Sequence, residues 1–587
     1  MADGIDFSQA RVREVHDPDT RYEIEDLIPE DEDDTLDSEP YTERHRRLKE
    51  WLAQARNAHH ENREQQETDA DFYDGLQWSD EDVEFLRARG QAPLVFNHIK
   101  PAVDWVLGTE RRTRVEGTVL PRRDDDVESA QTKSKTLKYI TSVNNAEFAR
   151  SRAFADAAIV GVGWLEDGVR NDETDDPIFS RYESWRNIWY DHLSVEWDLS
   201  DARFLFRQKW LDVDMAMAMF PHRKETIRRA ALTAGAQDQE WSADPWNAAN
   251  EEYVPNMSGT GVVGDETFDV LNRRERVRVV EAWYREPESV SIMRGYDDDL
   301  DGVEYDETNP KHIEAYEEEI VSVHKALVMR MRCAVFVSSG MLQDIPSPYR
   351  HNDFPFTPIW GWRRSRDNAP YGVVRNSRDP QEDMNKRMSK ALFILSSNRI
   401  IADKGAVEDW NETLDEVSRP DGVVQLKNAE ARFELPDDRG LAAEHLHVMD
   451  RDQAYIQQTS GVTGENLGHE TNAESGKAIQ AKQQQGSAVT YALFDNLRYA
   501  IQLQGQKQLS LIEQFYDRPK IIRVAGEKGQ SEHVAINQPR WDENSGQVVF
   551  ENDVTARKAD FIVDTEEFNT TNRQAMFQEL MALAGKL

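Results

Sequence analysis

The stretch GVTGENLGHETNAESGKAIQAKQQQG, residues 461–486, is the most suggestive of chemistry, because its glycines lead into a Gly-Lys pair and a helical pattern. A nucleotide-binding P-loop requires G-x-x-x-x-G-K-[ST], which supplies a backbone nest for phosphates, a lysine charge and a hydroxyl for Mg²⁺. Thr471 stands where the first glycine belongs, Ala478 stands where the hydroxyl belongs, and the preceding sequence predicts no buried strand. An ATPase site is therefore not expected, and the glycines need another explanation.

A second motif, YDDDLDGV at 296–303, resembles a calcium-binding loop. Asp297, Asp299 and Asp301 occupy its first, third and fifth positions, followed by a glycine at the sixth. The twelfth position, which should be a glutamate, is Thr308, and the preceding SVSIMRG favours a strand rather than a helix. We expect a solvated acidic loop, and the three aspartates remain the candidate cation site.

Other side chains with catalytic potential do not form a recognisable site. His445 and His447 are two apart on a predicted helix, so their side chains point about 200° apart and cannot share a metal. Asp421, followed by Gln425 and Lys427, faintly resembles a metal-dependent nuclease motif, but a second carboxylate is missing. No G-x-S-x-G elbow occurs, and the single cysteine lies in an apolar, strand-like segment. We expect no enzyme, no metal and no cofactor, with a metal-dependent nuclease or phosphohydrolase built from the acidic loops as the enzymatic alternative.

The composition predicts a soluble protein of a reducing compartment. The chain has 587 residues, enough for several domains, because single cores stop growing beyond roughly 250–300 residues. Its single cysteine excludes an intrachain disulfide, its N-terminus is too acidic for a signal peptide, and no apolar run could span a bilayer. A net charge of −39 opposes simple adhesion to DNA or to an anionic membrane, although it suits a wall along which DNA must slide.

Hydrophobic spacing predicts the elements that position these residues. Residues 1–43 are strongly acidic and predict a flexible arm, and 44–67 predict a helix. Ser79 and Asp82 fit a capping box that starts a second helix, and 92–112 contain a third.

The region that follows, up to residue 376, mixes helices and strands. VRVVEAWY at 277–284 and HKALVMRMRCAVFV at 324–337 predict strands of a largely antiparallel sheet, with a polar insertion at 285–321 between them. FPFTPIWGWRR at 354–364 carries two prolines and predicts an ordered, aromatic-rich connection rather than regular structure. The fold class is therefore α+β.

Two predicted helices then bracket a small module. Asp379-Pro380-Gln381-Glu382 is a helix start with aspartate as N-cap and proline in the first turn, which predicts a helix over 377–400. Apolar residues at helical spacing predict another over 440–460. Between them, 401–439 contain a turn at Pro420-Asp421-Gly422 and a predicted strand, VVQLK. This arrangement predicts a projection on a two-helix stalk.

A long helix is predicted after the glycine-containing loop 461–474. It covers 475–518, about 65 Å by the α-helical rise, and Pro519 ends it. Its apolar stripe consists of Val489, Leu493, Leu497, Ile501, Ile512 and Phe515. The first half is almost wholly polar, so it must line a partner chain or a water-filled space. Strands and a final helix from about residue 570 follow within 519–587.

This order of segments resembles that of the portal proteins of tailed bacteriophages, specifically the large portals of short-tailed phages. The resemblance is carried by DFYDGLQW, FNHIKPAVDWVLG, the proline-rich connection, YGVVRNSRDPQEDMNKRMS, the bracketed module and NAESGKAIQAKQQQGSAVTYALFDNLRYAIQ. It implies a portal-type subunit divided into an arm (1–43), a wing (44–376), stem helices (377–400 and 440–460), a clip (401–439), a channel loop (461–474), a channel and crown helix (475–518) and crown strands with a helix (519–587).

The resemblance also implies a function and partners. Portal proteins form a ring, expected here to have twelve subunits, at one capsid vertex through which DNA is packaged and ejected. The protein would be a structural component of the virion, assembled in the host cytoplasm. Its expected partners are its own copies, double-stranded DNA without sequence specificity, the large terminase subunit, tail or adaptor proteins, and the major capsid and scaffolding proteins, but no membrane. A capsid-associated scaffold without DNA passage is the second alternative.

The resemblance places the opening stretch in the channel. Its glycines would let a loop flex at the narrowest point: Gly461, Gly464, Gly468 and Gly476. The residues expected to line the channel are Lys477, Gln480, Gln483, Gln484 and Gln485. Glutamines offer phosphates weak, exchangeable contacts rather than ion pairs that would hold DNA still. A solvated helix face remains the alternative interpretation.

The clip is the expected docking surface for the packaging motor and later for a tail adaptor. It carries one aromatic residue among acids: Glu408, Asp409, Trp410, Glu412, Asp415 and Glu416. Such a cluster suits a partner that offers Lys or Arg around an apolar pocket. The alternative is that Trp410 fills a small core of the clip.

Assembly is expected to depend on apolar surface that one subunit cannot bury. The candidates are the stripe of the long helix, which includes Leu497, and the aromatic side chains around Trp360 and Trp362. A carboxylate placed at Leu497 would then disrupt the ring.

Overall fold

Helices and strands are mixed along the chain, which confirms the α+β class. The computed structural model describes residues 36–114, 117–121, 127–170, 176–234, 276–295, 300, 302–306, 309–318, 320–396, 400–419, 422–427, 430–436, 439–462, 476–525, 531–541, 548–555 and 559–563. The helices are α1 Glu39–Asp74, α2 Asp80–Ala88, α3 Ile99–Arg112, α4 Val127–Val143, α5 Ala146–Val160, α6 Val213–Met219, α7 Lys224–Ala234, α8 Pro310–Glu317, α9 Arg378–Ser396, α10 Trp410–Ser418, α11 Arg439–Ser460 and α12 Gly476–Phe515.

The strands pair in antiparallel fashion. They are β1 Gly117–Pro121, β2 Val162–Val169, β3 Ile178–Glu183, β4 Ile188–Tyr190, β5 Phe204–Asp212, β6 Arg276–Gly295, β7 Val321–Val337, β8 Gly340–Pro346, β9 Phe356–Trp360, β10 Trp362–Arg363, β11 Pro370–Tyr371, β12 Ile401–Ala402, β13 Phe433–Glu434, β14 Lys520–Ala525, β15 Ser531–Ile536, β16 Gln538–Trp541, β17 Val548–Glu551 and β18 Ala559–Val563. One sheet has the order β4-β5-β6-β7-β8 and a second has the order β3-β2-β9. Both contribute to one large core with α3, α4, α5 and α12, in which Trp164, Phe154, Trp283 and Trp360 are buried.

A buried ionic network joins these two sheets. Arg207 on β5 lies 2.6 Å from Glu166 on β2 and 3.5 Å from Glu183 on β3. It also pairs with Glu281 on β6, and Arg181 lies 2.7 Å from Glu166. Burial by itself raises the pKa of Glu166, but Arg207 and Arg181 more than offset this and hold that pKa below its usual value. Paired charges therefore cross the boundary between the sheets.

The N-terminal helix is longer than the sequence pattern predicts. The pattern predicts a helix over 44–67, whereas α1 begins within the range 1–43 that was expected to be a flexible arm. Leu36 is buried, and Asp37 pairs with Arg223 at 2.7 Å. The predicted boundary of the arm is therefore wrong, because an apolar contact and an ion pair anchor its last residues. Residues before 36 lie outside the described part of the chain.

Strands β6 and β7 form a long hairpin arm. They remain paired as far as Gly295 and Val321, so the predicted polar insertion at 285–321 is wrong at both ends. Pro287 is tolerated inside β6 because β5 pairs with β6 only as far as Tyr284, which leaves that edge open. The first part of the predicted insertion is therefore strand, and near its end Met293 and Val321 pack against Ala315 of α8.

The aromatic-rich connection at 354–364 also contains regular structure. β9 pairs with β2, and β10 pairs with β11, so the prediction of an irregular connection is wrong. Pro358 does not prevent strand formation because β9 is an edge strand, and one edge of such a strand needs no amide donor.

The second half of α12 lies in the same core as the sheets. Its buried apolar residues include Leu493, Leu497, Ile501 and Ile512. Leu497 is 4% exposed and Trp360 is 2% exposed, while Trp362 is half-buried. The prediction that these residues form surface left over for assembly is therefore wrong for Leu497 and Trp360, because their own chain covers them. Val489, at the start of the stripe, is 44% exposed.

The C-terminal strands return to the body of the protein. β18 pairs with β1, while β14 pairs with β15 and β16 with β17. The helix predicted from about residue 570 lies outside the described residues. None of the described helices combines the length and apolar character needed to cross a membrane.

Candidate functional site

A two-helix stalk is formed by α9 and α11, which pack along each other. They share an apolar cluster of Met384, Met388, Met449 and Ile456. α9 follows directly on a 3-10 turn at Arg375–Ser377, so Asp379 lies inside the first turn and is not the predicted N-cap. α11 ends next to Gly461, whose φ of 70° lies in the left-handed region that favours glycine. Both predicted helices are present, with ends shifted by a few residues.

Three buried polar side chains of α9 bind the extended segment that precedes α3. Each side-chain oxygen accepts a hydrogen bond from a backbone N–H: Gln381 from His98 at 3.0 Å, Asn385 from Phe96 at 3.0 Å and Ser389 from Leu94 at 3.2 Å. The spacings match because four residues of a helix advance about 6 Å and two residues of an extended chain advance about 6.6 Å. The Asn385 amide also donates to the Gln77 side chain at 2.6 Å. We call this set of contacts the polar ladder.

Asp69 of α1 holds the root of the stalk. Its buried carboxylate lies 2.7 Å from Arg375 and 3.3 Å from Arg378. Burial raises the pKa of Asp69 to about 6 against the lowering effect of the two arginines, so the carboxylate is largely ionised at neutral pH. The base of the stalk is therefore attached to the body by an ionic contact and by the polar ladder.

Asn385→Leu is expected to loosen this attachment. Leucine has a similar volume but leaves the Phe96 N–H without its acceptor and the Gln77 side-chain oxygen without its donor, which costs about 2–3 kcal/mol. Native-state hydrogen exchange at the Phe96 amide should accelerate by about 30-fold or more. Lys390→Leu, at an exposed position of the same helix, is the control and should leave that rate unchanged. An unaltered Phe96 rate in the Asn385 variant would contradict the ladder as an attachment point.

A small tip module lies between the stalk helices. β12 pairs with β13, and Asp409 caps α10 by accepting a hydrogen bond from the Asn411 N–H at 2.8 Å. The buried side chains of the module include Ala406, Val407 and Thr413. Trp410 is 42% exposed, so the alternative that it fills this core is wrong. The predicted strand VVQLK at 423–427 is also wrong, since these residues are irregular and the sheet forms from other segments.

The tip module displays an apolar pair among acids. Trp410 and Leu414 are one turn apart on α10, and Leu414 is 53% exposed. The exposed acidic residues around them are Glu408, Asp409, Glu412 and Asp415, while Glu416 is half-buried. We call Trp410, Leu414 and these four exposed acids the tip surface. The predicted docking residues therefore share one exposed module of the structure.

The predicted channel residues lie at the edge of the described structure. Gly461 is described and ends α11, whereas Gly464 and Gly468 lie outside the described residues. Gly476 is the first residue of α12. The predicted lining residues belong to this helix, but their side chains are outside the described set: Lys477, Gln480, Gln483, Gln484 and Gln485. Their role in a channel stays a prediction.

The described residues contain no group of three or more His, Cys, Asp or Glu side chains that could hold a metal. The candidate cation site of Asp297, Asp299 and Asp301 lies outside the described ranges, as does Asp421. Cys333 is buried, and burial raises the pKa of its thiol well above the usual value, so it is not an activated nucleophile.

The polar ladder is a feature that local sequence patterns indicate only in part. Gln381, Asn385 and Ser389 recur every fourth residue, which marks a polar stripe on one face of α9. Such a stripe predicts hydrogen bonds, but its partner lies 289 residues earlier in the chain at Phe96. No local signal identifies that segment.

Comparison with known proteins gives two findings. The sequence model of a family described as Phage P22-like portal protein matches residues 49–587. The portal protein of Helicobacter pylori bacteriophage KHP30 is 16% identical over 470 residues, which cover 79% of this chain and 66% of that relative. The alignment therefore spans slightly less than two thirds of the relative's own length.

Proposed function

Because the chain belongs to the P22-like family of phage portal proteins, we propose that twelve copies of it form a ring at one capsid vertex through which phage DNA is packaged and later ejected. The observation that carries this proposal is the family match over 49–587, which includes the body, the stalk, the tip module and the long helix. The protein would then be a structural component of the virion, assembled in the host cytoplasm, with the major capsid and scaffolding proteins as neighbours.

The surface of the stalk supports self-assembly. Its helices carry apolar side chains that are each more than 40% exposed in the single chain: Leu392, Leu395, Leu441, Leu446 and Tyr455. Exposed apolar surface on this scale marks protein–protein contact. In a ring, the stalks of neighbouring subunits would cover these side chains.

The charge of the chain supports DNA passage without firm binding. Twelve copies of −39 would carry about −470, a field that repels a polyanion from the channel wall. The polar first half of α12, with Lys477 and the glutamines that follow, would then face the DNA with weak contacts. Packaging would be driven by a separate terminase rather than by this chain.

Electron microscopy of the purified chain is expected to show rings with a central channel. Particles without a channel would favour a capsid-associated scaffold instead.

Incubation with plasmid DNA and Mg²⁺ or Mn²⁺ tests the enzymatic alternative, and we expect the plasmid to remain intact. Cleavage that disappears in Asp421→Ala would establish a metal-dependent nuclease and overturn the structural role.

The tip surface would dock the large terminase subunit and later a tail adaptor. Trp410→Ala is expected to leave the ring and its thermal stability unchanged, because the side chain is already 42% exposed, and to weaken partner binding by about tenfold or more. Glu408→Lys combined with Glu412→Lys should weaken binding further by reversing the local charge. Tyr316→Ala, 51% exposed on α8, is the matched control. Binding of both partners at normal affinity to the charge-reversed ring, measured by co-sedimentation, would remove this surface from the proposal.

A further inference from the structure

The loop between β4 and β5 holds three apolar side chains in solvent. Leu193 is 74% exposed, Val195 is 58% exposed and Trp197 is 37% exposed. The segment 191–201, DHLSVEWDLSD, contains four acidic residues and no lysine or arginine. We call it the display loop. Asp191 is buried, whereas Glu196 and Asp201 are exposed and Asp198 is half-buried. Exposed apolar side chains beside acids are typical of a binding surface rather than of a simple connection.

The backbone of the display loop is held rigidly from beneath. Asp201 accepts a hydrogen bond from the Val195 N–H at 2.6 Å, and Arg363 donates to the Val195 carbonyl at 2.9 Å. The Arg363 guanidinium also contacts the faces of Trp197 and Trp360, 5.6 and 4.6 Å from their ring centres. The Trp360 indole N–H donates to the Trp197 carbonyl at 2.7 Å. The exposed side chains therefore project from a fixed frame.

The loop also contains a strained residue. Leu199 is buried and has a φ of 61°, in the left-handed region that a leucine rarely adopts. Arg285 stabilises this turn by donating to the carbonyls of Leu199 at 3.3 Å and Ala202 at 3.0 Å. Strain of this kind persists only where surrounding contacts enforce it, and it concentrates at functional segments. A loop held in this way loses little entropy when it binds a partner.

A surface of opposite charge lies at the N-terminal end of α5. Arg111 and Arg112 end α3, and Phe148 in the first turn of α5 is 63% exposed. Arg114 joins the two helices through an ion pair with Glu147 at 2.8 Å. We call Arg111, Arg112, Arg114 and Phe148 the basic patch. Arg111 and Arg112 are exposed, whereas Arg114 is paired with Glu147, so the free cations of this patch are those of α3, and their charge is opposite to that of the display loop.

Helix α5 keeps the two surfaces of one chain apart. Its C-terminal end lies under the display loop, where Gly161 accepts a hydrogen bond from the Gly361 N–H at 2.8 Å, next to Trp360. Its N-terminal end carries Phe148. The helix between them is about 22 Å long, so the two surfaces cannot meet within one chain.

We propose that the display loop of one copy of the chain binds the basic patch of the next copy in the ring. This inference rests on the proposed ring function. Complementary surfaces at opposite ends of a rigid helix form a head-to-tail contact, which is the type that closes into rings. Leu193 and Trp197 would be the apolar anchors, and Glu196 would face the arginines of the neighbour.

Leu193→Arg tests the anchor. At equal chain concentration, analytical ultracentrifugation should show the ring fraction reduced by about tenfold or more, with the thermal midpoint of the subunit unchanged. The matched control is Leu327→Arg, because Leu327 on the hairpin arm is 75% exposed and lies outside both surfaces. The Leu327→Arg chain should form the same ring fraction as the unaltered chain. Normal rings from the Leu193 variant, or rings that lose only a capsid-protein partner, would overturn the inference.

A charge exchange tests the pairing itself. Glu196→Lys alone and the pair Arg111→Glu and Arg112→Glu alone should each reduce the ring fraction, and the chain that carries all three changes should regain most of it. Failure of the combined chain to recover would reject this pairing. If the unaltered chain forms no rings, the proposed function itself fails. If the unaltered chain and every variant form rings, only the present inference fails.

Discussion

Leu497→Asp is expected to destabilise the folded subunit itself, rather than to yield a stable subunit that fails to assemble. Leu497 is 4% exposed in the core that α12 shares with both sheets. A carboxylate without a partner in that environment costs at least about 4 kcal/mol, a large part of the roughly 5–15 kcal/mol that stabilises a typical domain. Chemical denaturation followed by circular dichroism should show the loss directly in the free energy of unfolding.

Val489→Asp is the matched control for this change. Val489 belongs to the same apolar stripe two turns earlier but is 44% exposed, so its replacement should alter the free energy of unfolding by no more than about 0.5 kcal/mol. A Leu497 variant that unfolds at the same denaturant concentration as the unaltered chain, yet sediments only as a monomer, would instead place Leu497 between subunits.

Arg207→Met is expected to separate the two sheets at neutral pH. The change removes the cation shared by Glu166, Glu183 and Glu281. Glu166 keeps Arg181 and Glu183 keeps Lys209, but one positive charge is lost from a buried cluster of three carboxylates. Removing one partner of a buried ionic contact typically costs about 3–5 kcal/mol. Lys209→Met is the control, because Lys209 contacts Glu183 at 2.6 Å but is itself about one third exposed, and its loss should cost much less.

The pH dependence of stability should change sign in this variant. In the unaltered chain the pKa of Glu166 is lowered. The contribution of ionised Glu166 to the free energy of unfolding is therefore present at neutral pH and is lost only as the pH falls through that lowered pKa. Arg207 is the largest influence that lowers the Glu166 pKa, so without it we expect burial to outweigh Arg181 and to raise that pKa, and protonation then stabilises the folded state as the pH falls. The denaturation midpoint of the variant should therefore rise between about pH 7.5 and about pH 5.5. A midpoint that stays level over this interval would show that the carboxylates reach water.

Prolines show why some predicted elements had the wrong ends. Pro358 suggested an interruption, and Pro287 falls in the segment that was predicted to be a polar insertion, yet both lie inside strands. The cost of a missing amide donor depends on whether a neighbouring strand needs it, and here β6 has an open edge and β9 is an edge strand. Strand neighbours are a property of the whole sheet, so no local pattern contains them.

The sequence by itself determined the elements whose stability is local. The stalk helices α9 and α11 and the cap of α2, where Ser79 accepts a hydrogen bond from the Asp82 N–H at 3.1 Å, depend on spacings and caps that act within a few residues. The order of these elements was also sufficient to indicate the portal family. Only the tertiary structure decided which surface covers each apolar stripe and which charges meet. Leu497 is buried by its own chain and Trp410 is not, and Arg207 meets Glu166, because burial and ion pairing depend on contacts between segments far apart in the sequence.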